Sequence, residues 1–257
     1  MRKIILICFI ISLGLAGCDQ TTGIGGTESI KPTAGTNDIA QINLKLGIAY
    51  LKRGEYAKSL TKLQKAQAAD PRYPPIYNTL GVLHQQLGDK VTAEKYFRQA
   101  LSLNSSHAST LNNYGQFLCQ EARYDEAEET FLKAAQNPLY LTPEIAFSNA
   151  GTCAMAQSRL DVAETYFRNA LEINPRVAVA LIQMSQISYK TASYLSARAY
   201  LQRYLEISPS TAKSLWLGIR IERELGDKNT LSSYTLLLKN KFPDSKEAKL
   251  LKNSLAK

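Results

Sequence analysis

"YNTLGVLHQQLGDKVTAEKYFRQALSLN", residues 77–104, decides the fold. It reads as two amphipathic helices, each with apolar residues at i, i+3, i+4 and i+7. "FSNAGTCAMAQSRLDVAETYFRNALEIN", residues 147–174, repeats the frame. Gly47, Gly81 and Gly115 lie 34 residues apart, Gly151 follows at 36, and Ser185 and Ile219 continue at 34. An alanine recurs at Ala93, Ala127, Ala163 and Ala197, with Ser59 and Leu231 in the outer slots. Large apolar residues recur at Leu63, Phe97, Phe131, Phe167 and Leu201, followed by Ala66, Ala100, Ala134 and Ala170. Pro71, Pro175, Pro209 and Pro243 close units, because proline cannot continue a helix. A fixed period of this length marks a repeat array.

This pattern resembles the tetratricopeptide (TPR) repeat. The resemblance implies an all-α superhelical solenoid. Glycine at position 8 lets the first helix of a unit approach the second, and the aromatic at position 24 fills the gap. The phasing gives six units: 40–73, 74–107, 108–143, 144–177, 178–211 and 212–245. The fifth departs with Ser185 for glycine and Tyr204 for alanine, and the sixth has Gly218 shifted by one position. Degenerate end units are expected where a solenoid must be capped. The two extra residues of the third unit fall in "NPLYLTPE", and residues 246–257 read as a C-terminal capping helix or tail.

Ahead of the repeats, Arg2 and Lys3 precede "IILICFIISLGLAG" and then Cys18. An apolar run of about a dozen residues is short of the roughly 20 needed to span a bilayer, and its charged flank reads as a secretory signal. Leu15-Ala16-Gly17-Cys18 resembles the bacterial lipobox, which implies that residues 1–17 are removed and Cys18 carries lipid. The other reading is an uncleaved anchor with a chance cysteine. Residues 18–39 have no apolar periodicity and read as the lipidated cysteine with a flexible linker, spanning roughly 25 Å as a coil.

The remaining chemistry is sparse. No HExxH, CxxC or phosphate loop appears, and "GIGG" lies in the linker. No metal, cofactor or small-molecule substrate is therefore expected, and the protein reads as a binding protein, not an enzyme. His84 reads as a partly buried structural residue, His107 as solvated, and "DEAEE" at 125–129 as a helix start facing solvent. The net charge of +9 is uneven: the first unit has seven Lys or Arg against two acids, the third two against five. A secreted, lipidated chain has no routine access to nucleic acid. The basic first unit suits either anionic headgroups or plain solvation.

With Cys8 in the removed segment, Cys119 and Cys153 are left beside Cys18 in an oxidising compartment. They occupy positions 12 and 10 of successive first helices. Two positions turn a helix by about 200°, so one side chain faces forward and the other back, as a disulfide requires. Two small buried thiols packed as apolar residues are the alternative.

"LNNYGQFLCQEARYDEAEETFLKAA", "LYLTPEIAFSNAGTCAMAQ" and "SLWLGIRIERELGDKNTLSSYTLLLKNKFPDSKE" together resemble the type IV pilus biogenesis lipoproteins called PilF or PilW. The resemblance implies a pilotin that binds the secretin PilQ and promotes its multimerisation in the outer membrane, held on the periplasmic face by lipid. Asp19 departs from this: under enterobacterial sorting rules it favours the inner membrane. The alternative function is a lipidated TPR scaffold for cell-wall enzymes or envelope assembly machinery. In TPR arrays the first helices line a concave groove. The matching positions are Asn78, Val82, Gln85, Asn112, Gln116, Gln120, Ser148, Thr152, Met155, Ile182, Gln186 and Tyr189. This surface is amide-rich and partly apolar, suited to an extended peptide. It lacks the cations of TPRs that hold acidic C-terminal tails, so such a tail is a poor candidate ligand.

Overall fold

The computed structural model describes residues 38–255, which form thirteen α-helices and no strand. Six hairpins follow one another. The first three are α1 (Asp38–Lys52) with α2 (Tyr56–Ala69), α3 (Pro74–Gln86) with α4 (Lys90–Leu103), and α5 (Ala108–Gln120) with α6 (Tyr124–Ala135). Then come α7 (Pro143–Ala156) with α8 (Leu160–Ile173), α9 (Ala178–Lys190) with α10 (Tyr194–Ile207), and α11 (Ala212–Leu225) with α12 (Lys228–Lys241). A last helix, α13 (Lys246–Leu255), packs on α11 and α12 through Leu251, which is buried with Leu215, Ile219 and Leu238. The array is a TPR solenoid. The signal segment, Cys18 and nearly all of the linker lie outside the described residues. The first helix starts at Asp38, two residues inside the stretch read as linker.

Each hairpin turns on one left-handed residue: Gly54, Gly88, Ala122, Ser158, Ala192 and Gly226, with φ between 58° and 76°. The next amide then reaches back five residues, as in Asp89 to His84 (2.9 Å), Arg123 to Leu118 (2.9 Å) and Ser193 to Ser188 (2.8 Å). This is the Schellman closure, which satisfies carbonyls that a helix end leaves open. At Ala122, Ser158 and Ala192 a side chain is held where glycine is preferred, at a cost of about 1–2 kcal/mol.

The hairpins close on a contact made by an absent side chain. A Cβ at Gly81 would stand 2.7 Å from the Phe97 ring, at Gly115 2.8 Å from Phe131, and at Gly151 2.8 Å from Phe167. These three rings are fully buried. Where the glycine–alanine crossing departs from type, a hydrogen bond crosses it instead. Ser59 Oγ on α2 donates to the Gly47 carbonyl, and Ser185 Oγ on α9 donates to the Ala197 carbonyl, both at 2.8 Å. In the sixth unit the shifted Gly218 is the packing glycine, facing Tyr234 at 2.8 Å, sixteen residues downstream as in the other pairs. The turn at Gly226 keeps its place, so the contact has moved one position relative to the turn.

Neighbouring hairpins are tied by charge and by covalent linkage. Glu94 on α4 accepts from Arg98 (2.8 Å), from Tyr114 on α5 (3.0 Å) and from Arg123 at the α5–α6 turn (2.8 Å). Glu128 on α6 plays the same part toward Arg159 (3.0 Å) and Tyr166, so it is a lateral clamp and not part of a purely solvated acidic run. Burial with the Glu128 hydrogen bond pushes Tyr166 up to about 12. Between α10 and α11 the polarity inverts: Arg198 holds Glu222, whose carboxylate is only 1% exposed. His107 is likewise not merely solvated, since its Nδ1 lies 2.7 Å from Thr110 Oγ1 and it caps α5. His84 is partly buried, 3.2 Å from Asp89 and ring to ring with Tyr96. The inserted loop folds Tyr140 into the core beside Ala108, Leu111 and Ala146. Cys119 on α5 and Cys153 on α7 are joined by a disulfide, their Cα atoms 5.9 Å apart.

Four outcomes are expected. Gly81→Ala should destabilise by about 1–2 kcal/mol despite the better helix propensity of alanine, because the new methyl overpacks Phe97. Ala192→Gly should leave the denaturant midpoint unchanged or raised; urea unfolding followed by circular dichroism measures both. Burial alone would raise the Glu94 carboxyl, but hydrogen bonds from Arg123, Arg98 and Tyr114 outweigh it and hold the group at about 2 against 4.5 unfolded. A depressed carboxylate contributes stability that is complete above the unfolded value and lost as pH falls through the folded one. Stability should therefore drop between about pH 4.5 and 2, and less steeply in Glu94→Gln, across a pH series of urea melts. Finally, replacing both Cys119 and Cys153 by Ser should cost about 3–4 kcal/mol in the chain-entropy picture, read by the same unfolding curves.

Candidate functional site

The first helices of successive hairpins, α3, α5, α7, α9 and α11, present the face on which TPR arrays bind. The structure divides the twelve groove positions into two groups. Asn78 and Asn112 belong to the scaffold, which corrects their reading as peptide-binding amides. Asn78 Oδ1 accepts from Asn113 Nδ2 at 3.0 Å, and Asn112 Oδ1 accepts from Asn149 Nδ2 at 2.9 Å. Asn112 is wholly buried, and Val82 and Ser148 are nearly so. These amides tie α3 to α5 and α5 to α7. Proximity in sequence could not reveal this, because each partner lies 35 or 37 residues away on the neighbouring helix.

The accessible surface is made by the others. Gln85 donates to Gln120 at 2.7 Å across α3 and α5. Gln116, Met155, Ile182, Gln186 and Tyr189 are half-buried, and Thr152 is exposed, its hydroxyl bonded to the Ser148 carbonyl at 2.9 Å. Four polar atoms here are buried without a hydrogen-bond partner in the chain: Asn112 Nδ2, Gln116 Nε2, Ser148 Oγ and Gln183 Oε1. They stand on three successive first helices. Leaving such a group unsatisfied costs about 1–3 kcal/mol, and because these atoms are sealed, the edge open to an occupant is that of the half-buried amides Gln116 and Gln186.

The groove positions legible from the repeat end with the fifth unit, and the face of the sixth was missed. Trp216, Arg220 and Arg223 share one face of α11, at i, i+4 and i+7. Arg220 lies over the Tyr189 ring at 4.7 Å. The groove is therefore amide-rich at its centre and cationic at its C-terminal end. The spacing was present in "LWLGIRIER", but the displaced Gly218 hid the register.

At the opposite end, α1 exposes Ile39, Ile42 and Leu46 on one face. Among the described residues no cluster of three His, Cys, Asp or Glu is placed to hold a metal, and no helix is long and apolar enough to cross a membrane.

Comparison with known proteins bears on this architecture. The "TPR repeat" family matches residues 47–88, and "Tetratricopeptide repeat" families match 74–107 and 148–212. The type IV pilus assembly protein PilF of Pseudomonas aeruginosa is 32% identical over 239 residues, covering 93% of this chain and 94% of that one. The solved structure of Pseudomonas aeruginosa PilF superposes with a TM-score of 0.78 at 31% identity, over 86% of this chain and 99% of the other. PilW, described as a widely conserved type IV pilus biogenesis factor, superposes with a TM-score of 0.74 at 28% identity, over 84% and 99%. With full-length kinship, the same repeat array and matching structures together, the chain belongs to the PilF/PilW family of TPR proteins of type IV pilus biogenesis.

Proposed function

We propose that this protein is a secretin pilotin: a lipid-anchored adaptor whose groove holds a segment of PilQ and promotes its multimerisation in the outer membrane. Family membership supports a part in pilus biogenesis. The observation that carries the binding role is the accessible amide surface of Gln85, Gln116, Gln120 and Gln186 on α3, α5 and α9. An extended peptide backbone carries one donor and one acceptor per residue and can pair with such amide side chains, while Met155 and Ile182 supply apolar contact.

In this reading Cys18 is acylated and the linker lets the solenoid reach a partner near the periplasmic face of the membrane. The Cys119–Cys153 bond suits an oxidising compartment. An adaptor needs no cofactor and performs no covalent step. The outer membrane follows from the role, since the secretin ring works there, although Asp19 departs from the sorting signal of enterobacteria.

The test combines localisation and assembly. Deleting the gene should abolish heat-resistant secretin multimers in the outer-membrane fraction and surface pili with them. Cys18→Ala should leave a folded but unanchored body. Gln116→Glu with Gln120→Ala should keep the circular dichroism spectrum and lose secretin pull-down. Wild-type multimer yield in the groove variant would move the docking surface to the apolar face of α1. Intact pili with disturbed division or envelope leakage in the deletion strain would favour the scaffold role instead.

A further inference from the structure

We infer that the C-terminal end of the groove is a carboxylate-recognising pocket, taking an Asp or Glu side chain flanked by an apolar residue in a partner protein's segment. The inference deepens the groove-binding reading and rests on it for its biological occupant, but the pocket's chemistry stands by itself.

The cavity has a volume of about 470 Å³ and lies between α9, α11 and α13. Tyr189 enters from α9, Trp216, Arg220 and Arg223 from α11, and Leu250 and Asn253 from α13. That volume lies in the range of small binding pockets and admits one or two side chains. Its walls are apolar and aromatic, and its donors are two guanidinium groups and an amide.

Both guanidinium groups are held in place and left without a carboxylate. Arg220 is stacked at 4.7 Å over Tyr189, and its Nε is buried with no hydrogen-bond partner. Arg223 lies 5.6 Å from the Trp216 ring and donates to Ser254 Oγ at 2.9 Å. Glu224 lines the same cavity, yet no carboxylate oxygen of the described residues makes an ion pair with either arginine. On the second helices the habit is opposite: Arg98, Arg168 and Arg198 are each bonded to a glutamate. A guanidinium fixed on an aromatic face and free of any carboxylate is prepared for bidentate contact with one through its terminal N–H groups. Stacking costs it little of that capacity, because the ring covers the face of the guanidinium plane while the N–H groups point outward within it.

The surroundings agree in sign. Residues 211–257 carry ten Lys or Arg against five acids. Such a field draws in an anionic segment and weakens with salt. The apolar surface that Trp216 and Leu250 leave open then suits a neighbouring apolar side chain. The expectation that acidic segments are poor ligands therefore applies to the central groove and not to this end.

The chain contains a single tryptophan, Trp216, and it lines the pocket, so intrinsic fluorescence reports occupancy directly. The probe is a blocked peptide, acetyl-Ser-Gly-Phe-Glu-Phe-Gly-Ser-amide, titrated into the purified full chain up to about 1 mM, the weak end of useful docking. A saturable change in emission is expected, weakened about tenfold or more by Gln for Glu in the peptide, by Arg220→Gln, or by added salt. Arg223→Gln should act in the same direction, so the result does not hang on one variant, and thermal melts verify that both fold. Equal binding of the Glu and Gln peptides, no saturable change at all, or full binding to Arg220→Gln would overturn the inference. So would preference for a Gln peptide with a free C-terminus, which would make a chain end the occupant. If Arg220→Gln retains secretin pull-down while Gln116→Glu loses it, the pocket has no part in that complex and the groove reading stands. If both retain it, the groove reading falls, and the peptide titration still decides the pocket.

Discussion

The tightest approach within a hairpin is between a backbone and a ring. Gly81, Gly115 and Gly151 have no Cβ, and the rings of Phe97, Phe131 and Phe167 occupy the space a methyl would need. This contact fixes how near the two helices of a unit come. Because every unit stacks on the next, the same distance is inherited along the solenoid. The rings are fully buried, so the gap cannot be relieved toward solvent. Serine is tolerated at the crossing only where its hydroxyl finds a carbonyl on the facing helix, as Ser59 and Ser185 do.

Between units, other forces act. A solenoid's repeats touch only their neighbours, so each interface must hold by itself. Here the second helices are clamped by glutamate–arginine pairs, the first helices by amide bonds, and the junction of the third and fourth units also by the Cys119–Cys153 disulfide. The clamps are of unequal character. Glu94 is partly open to solvent, whereas Glu222 is buried against Arg198. The disulfide reinforces the array beside Gln116 and Gln120, where the groove is deepest in amides.

A rigid inner row has a functional consequence. With Asn78 and Asn112 locked into the scaffold, the helices that carry the accessible amides Gln85, Gln116 and Gln120 are held at fixed spacing. A partner segment then meets a surface whose ordering cost is already met, which favours affinity. At the end of that row the character changes from neutral amides to Arg220 and Arg223, giving the groove a direction that a uniformly amide-rich surface would lack.

Read alone, the sequence establishes the repeat, its length, the pairing of glycine with aromatic, the family, and the opposition of Cys119 and Cys153. The family comes from the resemblance of whole segments; the others come from period and from which side of a helix a residue occupies. Tertiary structure decides what each side chain meets on the next unit. Asn112 and Gln116 stand one turn apart on α5, yet one is sealed against Asn149 while the other keeps an accessible face. Glu128 sits in an acidic run that looks solvated, and only the superhelical offset brings Arg159 and Tyr166 to it. The pocket at Trp216 needs α13 to close it, and no periodic signal links α13 to α9. A periodic pattern specifies faces; the rise and twist between units, set by packing over more than thirty residues of separation, specify partners.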